Sequence, residues 1–415
     1  MEPQDVVSKL NQDKDYKFKI MHLNIHSLAD KFDKLKILIG NMNCTPDIIL
    51  LCETFLNDRI ADNFNLPGYS FIYKNRQDKS KGGIGIYIKN NINYKTRDDL
   101  STFIEGTYES LFIETTTRNR KAIIGEIYRI PNTNEKDSLT NFEQTLDKLD
   151  HSIDIVIGTD QNFDYLKLNK NKNIHELLDL FFNNRMIPTV SNPTRVAHST
   201  ATLIDNIYVK TEMMHNTKTD IIITDISDHF PIFTTIENNH GLTKPSSVTF
   251  KTRTITDQAI HCIKDSLHEL TWEHLHELST DEALENFTNI LWSKIDKYAP
   301  EKEITIKANK IKREKWMTNG LLKSSQTLTK LYKKALKTTK DDTRHKDYIK
   351  YRNTFNNLKR TTKQAYYEKL LQEYKFDIRK TWKIMNEAIN KTKENSISIQ
   401  SITKDNTIYM TTKKT

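Results

Sequence analysis

Along the first 240 positions apolar residues fall in short β-branched runs: Ile48-Ile49-Leu50-Leu51, Ile84-Gly85-Ile86-Tyr87-Ile88, Ile123-Ile124-Gly125-Glu126-Ile127-Tyr128, Ile153-Asp154-Ile155-Val156-Ile157 and Ile221-Ile222-Ile223. Short apolar runs bounded by turn residues predict buried strands. Helical spacing lies between them, over Lys31 to Ile39, Leu139 to Leu149 and Ile174 to Phe182. The mixture predicts one α/β or α+β domain with its sheets covered by helices. After Pro245 the strand signal nearly vanishes. Thr256 to Tyr298 and Trp316 to Ile389 keep helical spacing, with stripes such as Leu328, Leu331, Tyr332, Ala335 and Tyr348, Tyr351, Phe355, Leu358 set between lysine-rich faces. Lys391 to Thr415 reads as weak strand or disorder. The expected organisation is an N-terminal extension (1–15), a mixed domain (16–240), a helical connector (241–300), a basic helical linker region (301–390) and a weakly structured end (391–415).

Composition narrows the classes. The 415 residues are 36% hydrophobic with mean hydropathy −0.66, enough apolar chain for a real core. The three cysteines form no CxxC pair, which excludes a disulfide framework and a cysteine-based zinc knuckle. No apolar run approaches the length of a membrane span, and the first residues carry no signal-peptide pattern, so a soluble intracellular protein with no membrane partner is expected. The net charge of +9 is unevenly spread. Residues 1–240 hold 28 basic and 33 acidic residues, a net of −5; residues 241–300 are at −3, which leaves +17 on the last 115 positions. Within that tail Trp316, Tyr332, Tyr348, Tyr351, Tyr366, Tyr367 and Trp382 alternate with lysines, a pattern that phosphate contacts and base stacking would use. Solvated helix faces and helix packing explain the same residues without any ligand.

Several strands end in polar residues with chemical potential. Ile20 to Leu23 runs into Asn24, Ile48 to Cys52 into Glu53, Ile123 to Ile127 into Tyr128, and Ile153 to Gly158 into Asp160 and Asn162. Leu203-Ile204 leads into Asp205, and Asp225-Ile226-Ser227 into Asp228-His229. Polar groups at strand ends can converge on one rim of a sheet. Carboxylates for a hard cation, amides to orient water, and a phenol and imidazole to donate to a developing anion are the parts of metal-assisted phosphate-ester hydrolysis.

In that order, HLNIHSL, LLCETFL, GEIYRIPN, VIGTDQNFD, LIDNIYV and ISDHFPIF resemble the endonuclease/exonuclease/phosphatase superfamily, the deoxyribonuclease-I-like fold. NIHSLADKFDKLK, PDIILLCETFL, GGIGIYIK and SNPTRV look more narrowly like the endonuclease domain of non-LTR (LINE-type) retrotransposons of the jockey/CR1 kind. The resemblance covers about residues 16–237. It implies an α+β fold, a four-layer α/β/β/α sandwich followed by a mostly α-helical basic tail. It also implies a Mg²⁺-dependent DNA endonuclease, with Mn²⁺ as a substitute ion, that nicks one strand of a target duplex. Carried over residue by residue, Glu53 is the principal metal ligand with Asn24 beside it and Asp228 completing the acidic cluster. Asp160 orients or deprotonates the attacking water and Asn162 helps hold it. His229 donates to the scissile phosphate with Asp205 on its other nitrogen, and Tyr128 donates to the same phosphate. Element RNA on the basic tail and access to the nucleus, besides the cytoplasm, follow from the same resemblance.

One departure stands out. The family commonly has Gly-Asp-x-Asn, whereas Thr159 here separates Gly158 from Asp160, and a one-residue bulge is expected to restore the aim of the aspartate. His22, His26, His151, His175 and His198 lack partner spacing and read as structural or surface residues. Gly82-Gly83-Ile84-Gly85 reads as a hairpin turn, because no P-loop lysine follows it. No aromatic-x-Asp-Asp turn of a reverse transcriptase is present, so the chain reads as a truncated copy ending before that domain. The alternatives are a phosphatase or abasic-site nuclease of the same fold, and a catalytically decayed nucleic-acid-binding remnant.

Overall fold

The computed structural model describes residues 3, 17–42, 44–77, 81–117, 120–197, 200–237, 248–253, 256–306, 314–389, 401–404 and 407–410. The expected extension at 1–15 lies outside these residues except for Pro3, as do His198 and most of 391–415. The chain forms two compact units, residues 1–240 with 311–415, and residues 241–310.

In chain order the first unit runs β1 (Lys17–Asn24), α1 (Leu28–Asn41), β2 (Ile48–Cys52), β3 (Tyr69–Lys74), β4 (Ile84–Lys89), β5 (Asn93–Thr96), β6 (Phe103–Ile104), β7 (Tyr108–Thr117) and β8 (Arg120–Arg129). It continues through α2 (Glu135–Leu146), β9 (Asp154–Asp160), α3 (Lys172–Asn183), β10 (Met186–Pro188), β11 (Arg195–Ala197), β12 (Thr200–Thr202), β13 (Asp205–Lys210), β14 (Thr217–Ile221) and β15 (Ile232–Glu237). One sheet has the order β14-β15-β1-β2-β4-β3, and the other β10-β13-β9-β8-β7-β5 with β6 on β7.

Strand residues alternate between two cores because side chains alternate between the faces of a sheet. Ile20, Leu50 and Ile232 of the first sheet meet Ile124, Val156 and Ile207 of the second in the space between the sheets. Their neighbours Met21, Leu23, Ile49 and Leu51 pack outward on Phe32, Leu35 and Leu38 of α1. On the far side Ile123, Ile127, Ile155 and Ile157 pack on Phe142 and Leu146 of α2 and Leu177 and Phe181 of α3. The result is the expected α+β sandwich of four layers, α/β/β/α. The Ile221-Ile222-Ile223 run departs from expectation. Its strand lies earlier, at Thr217–Ile221, with Ile221 opposite Ile232. Pro231, which precedes that partner, has no N–H to extend the ladder, and Ile222 instead joins the α1 core.

The second unit pairs β16 (Val248–Arg253) antiparallel with β17 (Glu301–Ile306) around α4 (Asp257–His268) and α5 (Thr280–Tyr298). Sequence reading missed this pair because both strands are mostly polar and far apart in the chain. Ser279 and Glu282 form a capping box at the start of α5.

The chain then returns to the first unit with α6 (Asn319–Ala335), α7 (Thr343–Glu373) and α8 (Ile378–Ala388), and β18 (Ser401–Lys404) pairs with β19 (Thr407–Met410). Trp316, Leu321, Leu328, Tyr348, Phe355, Tyr367 and Ile384 build one core, which includes Ile37 on the outward side of α1. This corrects the stacking pattern read from the tail. Trp316, Tyr348 and Tyr367 are buried, and Tyr332, Tyr351 and Tyr366 pack on the same core, while Trp382 stays exposed. Burial of flat rings removes far more apolar surface from water than a surface position would. Among the described residues no helix is long and apolar enough to cross a membrane.

Charged contacts fasten α1 to the tail. Lys36 Nζ lies 2.7 Å from Glu314 Oε1 and 3.1 Å from Asp33 Oδ1, and Lys363 Nζ lies 3.0 Å from Asp33 Oδ2. Burial works to raise the Asp33 carboxyl, but Lys36 and Lys363 outweigh it and hold it below its usual value of 3.8. A depressed native value makes its contribution complete above the ordinary aspartate range and lost as pH falls through the native value. Amide protection in α6 and α7, taken as the ratio of intrinsic to observed exchange, is therefore expected to fall as pH drops from about 5 through the lowered Asp33 value. Asp33→Asn should exchange faster already at neutral pH and respond less to acid.

Candidate functional site

β1 and β2 run parallel with Asn24 opposite Cys52, and β8 and β9 run parallel with Tyr128 opposite Asp160. β13 begins at Asp205 directly opposite Asp160. The polar strand ends therefore share one rim of the sandwich, on the side facing between the sheets.

The two loops leaving β1 and β2 are knitted together. Ser27 N donates to Glu53 O at 2.9 Å and Leu28 N to Thr54 O at 2.9 Å, while Phe55 N donates to Gly82 O at 2.8 Å. This sharp geometry places Glu53 in the left-handed region at φ 52° and His26 at φ 46°. Asn162 stands at φ 51°. Non-glycine residues pay for such conformations, and they persist where the surroundings over-determine them. Gly82 and Gly83 form the β3 to β4 connection as expected; at φ +86° Gly83 also faces Thr54 Oγ1, which a Cβ would meet at 2.6 Å.

Asn24 Nδ2 donates to Glu53 Oε1 at 2.8 Å and to Asp160 Oδ2 at 2.7 Å. Tyr128 Oη donates to Glu53 Oε1 at 2.8 Å. Asp205 accepts from His229 Nδ1 at 2.9 and 3.0 Å and from Thr194 Oγ1 at 2.6 Å. His229 Nδ1 lies 3.9 Å from Asp160 Oδ2, which links the two groups of residues. Six of the anticipated residues, Asn24, Glu53, Tyr128, Asp160, Asp205 and His229, thus form one connected cluster. Asn162 sits beside it. Its backbone N–H is 3.3 Å from Asp160 Oδ1, while its side chain donates to Arg129 O. Asp228 is turned to the half-exposed Arg195, at 2.8 Å, and has no described contact with Glu53.

Burial and neighbouring charge give the cluster distinct protonation states. Burial first, then the Asp205 charge, pushes Asp160 up to about 7. Burial alone would lower His229, but Asp205 dominates and raises it to about 9. Against the same burial, His229 and His22 hold Asp205 well below the carboxylate range. Burial and the Glu53 charge drive Tyr128 far above the usual phenol value, so it remains a donor. Asp160, Asp205 and His229 offer ligand atoms within 4.8 Å of one another.

The structure also corrects the expected bulge at Thr159. The β8–β9 and β9–β13 registers run unbroken through Gly158, Thr159 and Asp160. Thr159 occupies an ordinary outward position and donates to Gln161 Oε1, so Asp160 needs no bulge to face the site.

Four partners escaped sequence reading. His26 Nδ1 lies 3.0 Å from Glu53 Oε2. Thr194 and Arg195, inside the SNPTRV stretch, hold Asp205 and Asp228. His22, read as structural or surface, is fully buried against Glu126, with Nδ1 2.9 Å from Oε1. Period-two reading offered a signal: Ile20, His22 and Asn24, like Ile124, Glu126 and Tyr128, must share one face of a strand.

Residues 122–233 match a protein family described as endonuclease-reverse transcriptase. No curated protein matches. Similar solved structures include the endonuclease domain of TRAS1, a telomere-specific non-LTR retrotransposon, at 13% identity over 54% of this chain and 99% of that one, with TM-score 0.44. The AP endonuclease LMAP from Leishmania major matches at 13% identity over 55% and 90%, TM-score 0.46. The 3' phosphatase NExo from Neisseria matches at 15% identity over 53% and 99%, TM-score 0.39.

Proposed function

We propose, for a chain whose residues 122–233 match the endonuclease-reverse transcriptase family, that it is a divalent-metal-dependent nuclease that nicks one strand of duplex DNA. The observation that carries this reading is the unbroken chain of contacts Tyr128–Glu53–Asn24–Asp160 beside the Asp205–His229 pair.

The donor set fits a hard cation such as Mg²⁺, with Mn²⁺ as substitute, since the groups nearest solvent are oxygens of the partly exposed Glu53, with the buried Asn24 amide oxygen, which accepts from His26 N, directly behind them. Asp228 would join them only on leaving Arg195. When bound, the ion supplies charge stabilisation to a phosphate oxygen. The chain's own residues do the rest. Asp160, poised near neutrality, accepts a proton from water held with Asn162. His229, protonated at neutral pH and tied through Nδ1 to Asp205, presents Nε2 to the phosphate as negative charge grows. Tyr128 adds a second donor, a neutral phenol O–H. The tail's basic helices are assigned a supporting role in holding nucleic acid through phosphate contacts.

Incubation of the full chain with supercoiled plasmid, abasic duplex and a phosphomonoester, with Mg²⁺ and with chelator, tests the reading. Chelator-sensitive conversion of plasmid to open circles is expected. Turnover of the phosphomonoester or abasic duplex with intact plasmid would overturn it.

A further inference from the structure

Beneath the catalytic rim, one residue deeper along each strand face, lies a polar layer that the proposed chemistry does not use. His22, Glu126 and Cys52 are all fully buried, with ligand atoms within 4.8 Å of one another. His22 Nδ1 is 2.9 and 3.0 Å from the two Glu126 oxygens. On its opposite edge His22 Nε2 faces Asp205 Oδ1 at 3.6 Å, and that carboxylate accepts from His229 Nδ1 at 2.9 Å. The layer exists because Gly158, opposite Glu126 in the β8–β9 register, has no side chain. A Cβ there would stand 2.4 Å from Glu126 Oε2 and 3.1 Å from His22 Nδ1.

Stability does not account for such a pair. A fully enclosed ion pair loses its hydration, and well-packed apolar replacements of both partners are often neutral or stabilising. Among the described contacts the His22–Glu126 pair reaches the site through Asp205. A carboxylate gripped by Thr194 and His229 alone can still rotate about the axis between them; a third group on its far edge fixes its plane. The plane of Asp205 in turn sets the direction in which His229 Nε2 points.

We infer that His22 and Glu126 are positioning residues, a buried Glu126–His22–Asp205–His229 relay that aims the phosphate-facing imidazole. The inference rests on the reading of Asp205 and His229 given above. The separation of 3.6 Å is longer than a finished hydrogen bond, and such contacts commonly tighten only when substrate is bound.

The test is the double replacement His22→Leu/Glu126→Leu in the full chain, assayed by Mg²⁺-dependent plasmid nicking. Loss of a supporting partner of this kind is expected to lower kcat about 10- to 100-fold. KM for plasmid should be unchanged, because no DNA-contacting group is removed. In an Asp205→Asn background the double replacement should add little, since the relay acts through that residue. Wild-type kcat in the folded double variant overturns the relay. If the double variant does not fold, His22→Gln and His22→Asn decide: the Gln amide reaches toward Asp205 and should keep more kcat, whereas Asn reaches only toward Glu126. Equal kcat in those two variants overturns the relay as well. Failure of the site reading looks different, because Asp205→Asn alone would then nick at the wild-type rate.

Discussion

Replacing Glu53 with Ala is expected to lower plasmid nicking by about 10³-fold or more, the upper part of the range seen when one preorganised charge-stabilising group is removed. The size follows from its contacts. One carboxylate gathers donors from Asn24 at 2.8 Å, Tyr128 at 2.8 Å and His26 at 3.0 Å. Its removal deletes the proposed cation ligand and also releases the two side chains that aim toward Asp160 and the phosphate. Glu53→Gln separates the two effects, because the amide keeps the shape and one acceptor while losing the charge. If the charge matters, activity in the Gln variant should recover partly at raised Mg²⁺, while the Ala variant should not recover. The far-ultraviolet circular dichroism of both should match wild type, since Glu53 stands on a loop above the core rather than in it. Nicking by folded Glu53→Ala at the wild-type rate would remove Glu53 from the mechanism.

The second large effect concerns stability. Trp316→Ala should destabilise the chain by about 3–5 kcal/mol, the usual loss for emptying a buried aromatic site. The Trp316 side chain is 1% exposed, its indole N–H donates to Glu314, and its ring lies 5.7 Å from Lys36 Nζ and 5.5 Å from Lys363 Nζ. Those two cations come from α1 and α7, so the ring sits where the sandwich and the tail meet. Urea unfolding followed by circular dichroism should show a lower midpoint with an unchanged slope. The position also revises what removal of the tail can test. From charge alone, deletion of residues 301–415 should weaken DNA binding and flatten its salt dependence while sparing the chemistry. With Ile37 of α1 buried against the tail core, deletion also bares an apolar helix face. Charge substitutions on exposed tail lysines are therefore the cleaner probe of nucleic-acid binding. A midpoint for Trp316→Ala equal to wild type would show that the tail is dispensable packing.

What could be read in the chain before folding had a common cause: it was encoded locally. Alternation and β-branching located β2, β4, β8 and β9, and 3.6-residue spacing located α1, α2 and α3, because each pattern reports which side of a single element meets a core. The strand-end residues Asn24, Glu53, Tyr128, Asp160, Asp205 and His229 were legible for a related reason. A charge or amide directly after an apolar strand needs a partner or a rim, and six of them in order implied a shared one. Tertiary structure decided what depends on pairing between distant segments. The β16–β17 pair, the unbroken register that brings Asp160 to the site without a bulge, and the turning of Asp228 toward Arg195 all arise from partners far away in sequence. The tail shows the division most plainly. Its alternating lysines and aromatics were visible as a pattern, but a pattern of cations and rings suits nucleic acid and a helix core equally. Only packing against α1 assigned Trp316, Tyr348 and Tyr367 to the core and left Trp382 exposed. In the same way, the apolar letters around His22 and Glu126 suggested plain strands. The absence of a side chain at Gly158, across the sheet, is what gives that buried pair its place next to Asp205.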